Sequence, residues 1–199
     1  MNSNIINFYL EANNLKNVIR TGWKEVGISD DKIESVADHV FGTEILALSI
    51  INEKNLSLNL EKVLKMILVR ELAKAKTNYE QSIITSNTKE NYRALTEEIL
   101  NKLGNNSDLL SIYDEYESQE TDESKFVYKV CKLESDLQAK IYEKDGYFTL
   151  ENAKEDIKKY PKDIEVGEIT KASDGWIMFD RSYYDDELFI SLSKDIQEL

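Results

Sequence analysis

The chain is poor in several residue types on which common functions depend. Its 199 residues include one histidine, one cysteine, one proline and seven glycines. A lone histidine, His39, excludes chemistry that needs two imidazoles, and a lone cysteine, Cys131, excludes an internal disulfide. Because such cysteine usage is typical of a reducing compartment, we expect a cytoplasmic location. Glycine and proline interrupt helices, so their scarcity favours long helices over a loop-rich or all-β fold.

Long apolar runs and basic clusters are lacking as well. No segment approaches the roughly 18 consecutive apolar residues of a membrane span. Residues 1–5 do not begin a signal peptide, since no basic segment precedes an apolar stretch there. The formal net charge is −13, and an acidic chain of this kind repels nucleic-acid backbones and anionic membranes. We therefore expect no nucleic acid and no membrane among its partners.

Apolar residues recur at helical spacing along most of the chain. The pattern predicts an all-α protein that folds as a single helical bundle domain over residues 1–199, with a core over about 5–145 and a C-terminal helical extension over 146–199. Helices are predicted over 3–18, 34–52, 60–76, 88–103, 107–118, 122–144, 149–160 and 183–197, with a polar loop over 78–90 and a turn and extended link over 173–181.

Three of the predicted helices bear on the position of a site. We expect the apolar faces of two of them to point inward. These faces are Val36, Val40, Phe41, Ile45, Leu48 and Ile51 in 34–52, and Phe126, Val127, Val130, Leu133, Leu137 and Ile141 in 122–144. The helix over 60–76 is apolar nearly all round, yet it contains Arg70, Glu71 and Lys74. Because buried charges are costly unless they are paired or open to a pocket, these three residues predict a pocket wall.

Four segments of the chain resemble, in order, the motifs of the small HD-domain nucleotidases of the 5′-deoxynucleotidase type. They are Leu15–Trp23, which ends in Arg20-Thr21-Gly22-Trp23, Glu34–His39, Leu68–Ala73 and Ser124–Ala139, all within residues 5–145. The resemblance implies the all-α HD-domain fold and a homodimer. It also implies a phosphohydrolase that acts on nucleoside 5′-monophosphates with a divalent metal.

The residues that hold the metal in that family are largely replaced in this chain. The resemblance matches the family's first histidine to His39, its His-Asp pair to Arg70-Glu71, its catalytic glutamate to Lys74 and its distant aspartate to Cys131. Arginine has no lone pair to offer a metal, and a cationic lysine cannot act as a carboxylate base. We therefore expect no catalytic residue at the degenerate positions Arg70, Glu71 and Lys74, and no bound metal. His39, Glu71 and Cys131 are then vestiges of the ligand set.

A rebuilt metal site is the alternative. His39, Glu71 and Cys131 are three donors that could hold Mn²⁺, Co²⁺, Mg²⁺ or Zn²⁺. Asp136 is a poor substitute for the missing aspartate, because five residues after Cys131 correspond to about 500° of rotation around a helix. A plainer interpretation makes His39 a hydrogen-bonded helix residue and Cys131 a small buried side chain.

Arg70 and Lys74 lie four residues apart and so share one face of a helix. In one interpretation they form ion pairs that fill the cavity, with Glu71, Asp38 and Glu134 as the expected carboxylate partners. In the other, Arg70 and Lys74 join two residues that match family positions near the substrate phosphate, Arg20 and Trp23, in a pocket that holds a phosphate without cleaving it.

Three functional hypotheses follow. The leading one is a metal-free pseudoenzyme that binds a nucleoside monophosphate or another small phosphate, or that acts as a regulatory partner. The alternative is a metal-dependent phosphohydrolase that acts on nucleoside 5′-monophosphates with a rebuilt site. The third is a purely structural interaction module that binds no nucleotide.

Overall fold

The fold is helical, as the sequence predicts. The computed structural model describes residues 3–77, 86–104, 106–157 and 169–199. They form α1 (Asn4–Ala12), α2 (Gly22–Glu25), α3 (Val36–Glu53), α4 (Leu60–Val69), α5 (Ser86–Leu100), α6 (Ser107–Ser118), α7 (Asp122–Lys144), α8 (Leu150–Ile157), α9 (Asp174–Arg181) and α10 (Glu187–Glu198). Within these ranges there is no β-strand, and Ile19 and Ser35 form an isolated antiparallel bridge. The all-α prediction is confirmed. Most of the predicted loop over 78–90 and the predicted stop at Pro161 lie outside the described residues.

The chain divides into two compact units. The first unit comprises the described residues of Met1–Ile19 and Glu34–Tyr128, and the second those of Arg20–Ile33 and Lys129–Leu199. The single domain with its core over about 5–145 stays a prediction. None of the described helices is both long enough and apolar enough to cross a membrane.

The core of the first unit forms where α4 packs against α3 and α6, and α5 packs against α6. The buried side chains of this core are Leu15, Val18, Val36, Val69, Leu72, Ala75, Ile99, Leu100 and Tyr113. Two predicted helices of this unit are shorter than expected, because each tightens into a 3-10 turn, at Asn13–Asn17 and at Leu72–Ala75. The Asn14 side-chain amide donates a hydrogen bond of 2.7 Å to the carbonyl of Ala75 and so ties the two turns together.

The predicted inward face of α3 is only half right. Val36, Val40 and Ile51 are buried, but the side chains of Phe41, Ile45 and Leu48 are 67%, 49% and 40% exposed. The core side of α3 is filled instead by smaller or polar residues, His39, Thr43 and Ala47. A helix of 3.6 residues per turn presents a limited arc to its neighbours, so an apolar stripe wider than that arc leaves its edge in solvent. For the same reason, Ile141 of α7 is 50% exposed.

The segment over 173–181 was expected to be a turn and an extended link, and this prediction is wrong. Its residues form helix α9, with Ile177 fully buried. The Asp174 carboxylate accepts hydrogen bonds from the backbone N–H groups of Thr170 and Lys171, at 2.9 and 2.7 Å. These bonds order the turn before the helix, and the contact of α9 with α8 and α10 then makes helix formation favourable.

Two of the buried carboxylates of the second unit, Asp136 and Asp180, influence each other's charge. Asp136 is 0% and Asp180 6% exposed. The Tyr184 hydroxyl donates to Asp136 Oδ2 at 3.3 Å, while Asp136 Oδ1 is buried without a hydrogen bond. Lys132 Nζ lies 2.7 Å from Asp180 Oδ1. Burial and the charge of Asp180 raise the pKa of the Asp136 carboxyl well above its ordinary value, although Tyr184, Lys132 and Arg181 oppose the shift.

We expect Asp136→Asn to flatten the pH dependence of stability. When folding raises the pKa of a carboxyl group, there is a pH range in which the folded protein keeps the proton and the unfolded chain has lost it. In that range the free energy of unfolding falls as the pH rises. As the pH rises above the ordinary carboxyl pKa of about 4, the free energy of unfolding of the wild type should fall more steeply than that of the variant. Urea unfolding at several pH values measures this. The control is Asp195→Asn, at an exposed position of α10, which makes the same chemical change and should keep the wild-type slope.

Candidate functional site

The start of α3 positions His39. Ser35 and Asp38 form a capping box, in which Ser35 Oγ accepts from the N–H of Asp38 at 3.1 Å and Asp38 Oδ2 accepts from the N–H of Ser35 at 2.8 Å. The N–H of Val36 donates to the carbonyl of Val18 at 2.7 Å and joins this helix end to the preceding segment. Such caps fix where a helix begins. His39 therefore lies on the first turn, 2% exposed.

The end of α4 positions three charged residues. The helix ends at Val69, Arg70 is its C-terminal cap, and the 3-10 turn Leu72–Ala75 follows. The side chains of Leu72 and Ala75 belong to the core of the unit. Because these apolar neighbours anchor the turn, the Glu71 carboxylate is carried inside with them, and Glu71 is 1% exposed.

Glu71 is held by two cations. Arg70 Nη2 lies 2.8 Å from Glu71 Oε1, and Lys74 Nζ lies 2.6 Å from Glu71 Oε2. The second contact is an ion pair rather than a hydrogen bond of regular geometry. The Arg70 side chain is 15% exposed and that of Lys74 is 29% exposed, so both cations reach the surface. The two positive groups converge on one buried anion, and a carboxylate with both oxygens engaged is well matched to them.

The charge state of Glu71 follows from its neighbours. Burial raises the pKa of the Glu71 carboxyl, but the adjacent Arg70, Lys74 and His39 together lower it far below its ordinary value. Glu71 is therefore an anion at neutral pH despite its burial. The network it forms is present at neutral pH and is lost only in acid.

An aromatic residue of α6 completes this cluster. The Arg70 guanidinium lies over the ring of Tyr116, 5.2 Å from its centroid, which is a cation–π contact. Tyr116 is not among the site residues predicted from the sequence. Only the packing of α6 on α4 brings it to Arg70, and no spacing in the sequence signals that contact. We call Arg70, Glu71, Lys74, His39 and Tyr116 the Glu71 cluster.

The second unit contains the other two predicted ligand-binding residues. Arg20 Nη2 donates to Ser135 Oγ at 2.9 Å, and Arg20 Nη1 lies 3.7 Å from Glu134 Oε2. The Arg20 guanidinium also lies 5.8 Å from the ring centroid of Trp23. Trp23 is 1% exposed and stacks on Trp176 with centroids 4.4 Å apart. Trp23 is thus a core residue of this unit.

The structure assigns partners to most of the remaining predicted residues. Asp38, an expected partner of the two cations, is engaged in the capping box with Ser35 instead. Glu134 pairs with Arg20 in the second unit. Cys131 also lies in the second unit, 6% exposed, and its carbonyl accepts a hydrogen bond of 3.1 Å from Ser135 Oγ. Its thiol is buried, as the plainer interpretation predicts.

The Glu71 cluster does not fit the divalent metal that the family resemblance implies. A hard divalent ion needs several oxygen or imidazole donors around one point. In the cluster, both oxygens of Glu71 contact cations. A metal bound there would lie among two fixed positive charges and would have to displace one of them from Glu71. The donor set at Glu71 is therefore occupied by the protein's own cations.

Comparison with known proteins identifies the family. The sequence model of the HD domain matches residues 12–170. The 5′-deoxynucleotidase HDDC2 of Danio rerio is 30% identical over 145 residues, which cover 70% of this chain and 70% of that protein. A conserved hypothetical protein from Pyrococcus furiosus superposes with a TM-score of 0.64 at 21% identity, covering 98% of this chain and 99% of that one.

A second solved structure has the same fold. It is a predicted metal-dependent phosphohydrolase from Magnetospirillum magnetotacticum, with a TM-score of 0.60 at 14% identity over 98% of this chain and 94% of that one. At such identities the two structures show the shared fold alone. The match to the family model extends over most of the sequence, and the Danio rerio protein supports it. The chain belongs to the HD-domain family and is similar to its 5′-deoxynucleotidase members.

Proposed function

We propose that this protein recognises nucleoside 5′-monophosphates through the phosphate group, with Arg70 and Lys74 as the cations that hold it. The observation that carries the proposal is the convergence of these two cations on the single carboxylate of Glu71. Two cationic donors aimed at one point form a site suited to a phosphate. The substrate class comes from the relatives, which are named 5′-deoxynucleotidases. The contributions of Arg20 and Trp23 stay predictions.

Arg70→Ala is the direct test of this proposal. Because a hydrogen bond to a charged group is worth about 1.5–3 kcal/mol, the variant should bind a deoxynucleoside 5′-monophosphate at least about tenfold more weakly. Isothermal titration calorimetry measures the dissociation constant, with circular dichroism as a check of folding. Arg93→Ala is the matched control, since Arg93 is paired with Asp114 at 2.7 Å and its side chain is 46% exposed.

Two outcomes decide this test. The unphosphorylated nucleoside should not bind detectably, because the contacts are made to the phosphate. A nucleoside that binds as tightly as its monophosphate would contradict the proposal. An Arg70→Ala variant with wild-type affinity would contradict it too, whereas a wild-type protein that binds no nucleotide would favour the purely structural module.

Hydrolysis of the bound nucleotide is the second candidate function. The names of the relatives favour a phosphohydrolase over a metal-free pseudoenzyme. These names do not support the expectation that no metal binds. The Glu71 cluster favours binding without hydrolysis, because Arg70 and Lys74 contact both oxygens of the Glu71 carboxylate. Under either function the nucleotide would bind first, and the candidates differ in whether phosphate is released.

Metal analysis and a turnover assay separate the two candidates. The purified protein is analysed for bound metal, and phosphate release from deoxynucleoside 5′-monophosphates is followed with added Mn²⁺, Co²⁺ or Mg²⁺. Stoichiometric metal with a turnover that is lost in His39→Ala would establish the phosphohydrolase. Binding without turnover under all three metals would establish the pseudoenzyme. The homodimer and the cytoplasmic location remain proposals, which rest on the family resemblance and on cysteine usage.

A further inference from the structure

The Glu71 carboxylate contacts the two cations beside it as a bound anion would. Its two oxygens contact different groups, Oε1 the Arg70 guanidinium at 2.8 Å and Oε2 the Lys74 ammonium at 2.6 Å. A phosphate monoester would use the same two donors through two of its own oxygens. The carboxylate and a phosphate therefore compete for one pair of cations.

The competitor is tethered in place. Glu71 precedes the turn Leu72–Ala75, whose buried side chains fix the backbone of this segment. An anion attached next to its binding partners acts at a high effective concentration, so it competes well against a free ligand. Glu71 is also 1% exposed, and water does not reach its carboxylate to weaken the contacts.

We propose that Glu71 is an internal competitor that occupies the phosphate-binding cations until a phosphate ester displaces it. This inference rests on the proposed function, since it concerns the same Arg70 and Lys74. It assigns Glu71 the role of setting the affinity of the site. The native protein then binds phosphate weakly, and only a ligand with further contacts competes effectively.

Glu71→Gln tests the inference, because glutamine keeps the shape of the side chain and removes its charge. With inorganic phosphate as the probe, at constant ionic strength, the variant should bind at least about tenfold more tightly than the wild type, as expected when an opposing charge-assisted contact is removed. The double variant Glu71→Gln/Arg70→Ala should lose this gain. Glu98→Gln is the control, since exposed Glu98 pairs with Lys76 in the same unit. This variant should bind inorganic phosphate with the same affinity as the wild type.

Equal phosphate affinity in Glu71→Gln and wild type would overturn the inference. Glu71→Asp covers the case in which Glu71→Gln does not fold: the shortened carboxylate cannot reach both cations equally, so its phosphate affinity should exceed the wild type's, and an unchanged value would also overturn the inference. If the wild type binds no nucleotide while Glu71→Gln binds phosphate, the inference stands and the proposed function fails. If the wild type binds nucleotide through Arg70 but Glu71→Gln gains nothing, only the inference fails.

Discussion

Trp23→Ala should lower the free energy of unfolding by about 3–5 kcal/mol, the range for truncating a large aromatic side chain in a well-packed core. Trp23 is 1% exposed. Its ring stacks on Trp176 at 4.4 Å, with 22° between the planes, and meets the edge of Tyr142 at 5.1 Å. Truncation removes both ring contacts and leaves a cavity. Chemical denaturation followed by far-ultraviolet circular dichroism measures the loss.

Two further variants control the Trp23 experiment. Trp23→Phe keeps an aromatic ring in the core and should cost clearly less than the alanine variant. Phe41→Ala removes an aromatic residue that is 67% exposed, and the change should stay within about 0.5 kcal/mol. A loss below about 1 kcal/mol for Trp23→Ala would show that the stack is not part of the core.

Glu71→Leu should destabilise the protein by about 2–4 kcal/mol, because it leaves two cations without their shared anion. The value lies toward the lower end for a broken buried ion pair, since the Lys74 side chain is 29% exposed and solvent screens part of its charge. Tyr116 still contacts the Arg70 guanidinium, so Arg70 keeps one favourable contact. Thermal and urea unfolding at neutral pH measure the effect.

The triple variant Arg70→Met/Glu71→Leu/Lys74→Met should recover most of that loss. Replacing a complete buried ion network by apolar side chains of similar size is often neutral, whereas removing one member leaves charges uncompensated. Recovery would show that the cost of Glu71→Leu comes from the two remaining cations. If the triple variant is less stable than Glu71→Leu alone, the network contributes directly to stability, and uncompensated charge does not account for the cost of Glu71→Leu.

How far the sequence predicts the structure differs between elements. For α7 the predicted range 122–144 is the observed one, because the apolar repeat is regular and Gly146, at a φ of 75°, allows the chain to leave the helix. The local pattern does not predict the helix over 173–181, because this helix depends on the Asp174 carboxylate, which orders the preceding turn, and on packing with α8 and α10. Local pattern is sufficient for a long helix and insufficient for a short one whose stability comes from its neighbours.

The candidate site, too, was predicted from the sequence only in part. The charge of Arg70, Glu71 and Lys74 on an apolar segment indicated paired charges or a pocket wall, and the pairing through Glu71 agrees with that expectation. Two contacts were not predicted: Asp38 bonds to Ser35, three residues earlier, rather than to the cations, and Tyr116, distant in sequence, contacts Arg70. The contact of Tyr116 with Arg70 depends on the packing of α6 on α4.

The sequence by itself determined that this protein is helical, that it resembles the HD-domain family, and that its one histidine is accompanied by cations where that family has metal ligands. These properties follow from residue types and from their spacing along one chain segment. Only the tertiary structure decided that Phe41, Ile45 and Leu48 lie in solvent and that Glu71 is buried between Arg70 and Lys74. The physical reason is that the burial of a side chain is set by the packing of elements distant in sequence, which a local pattern does not encode.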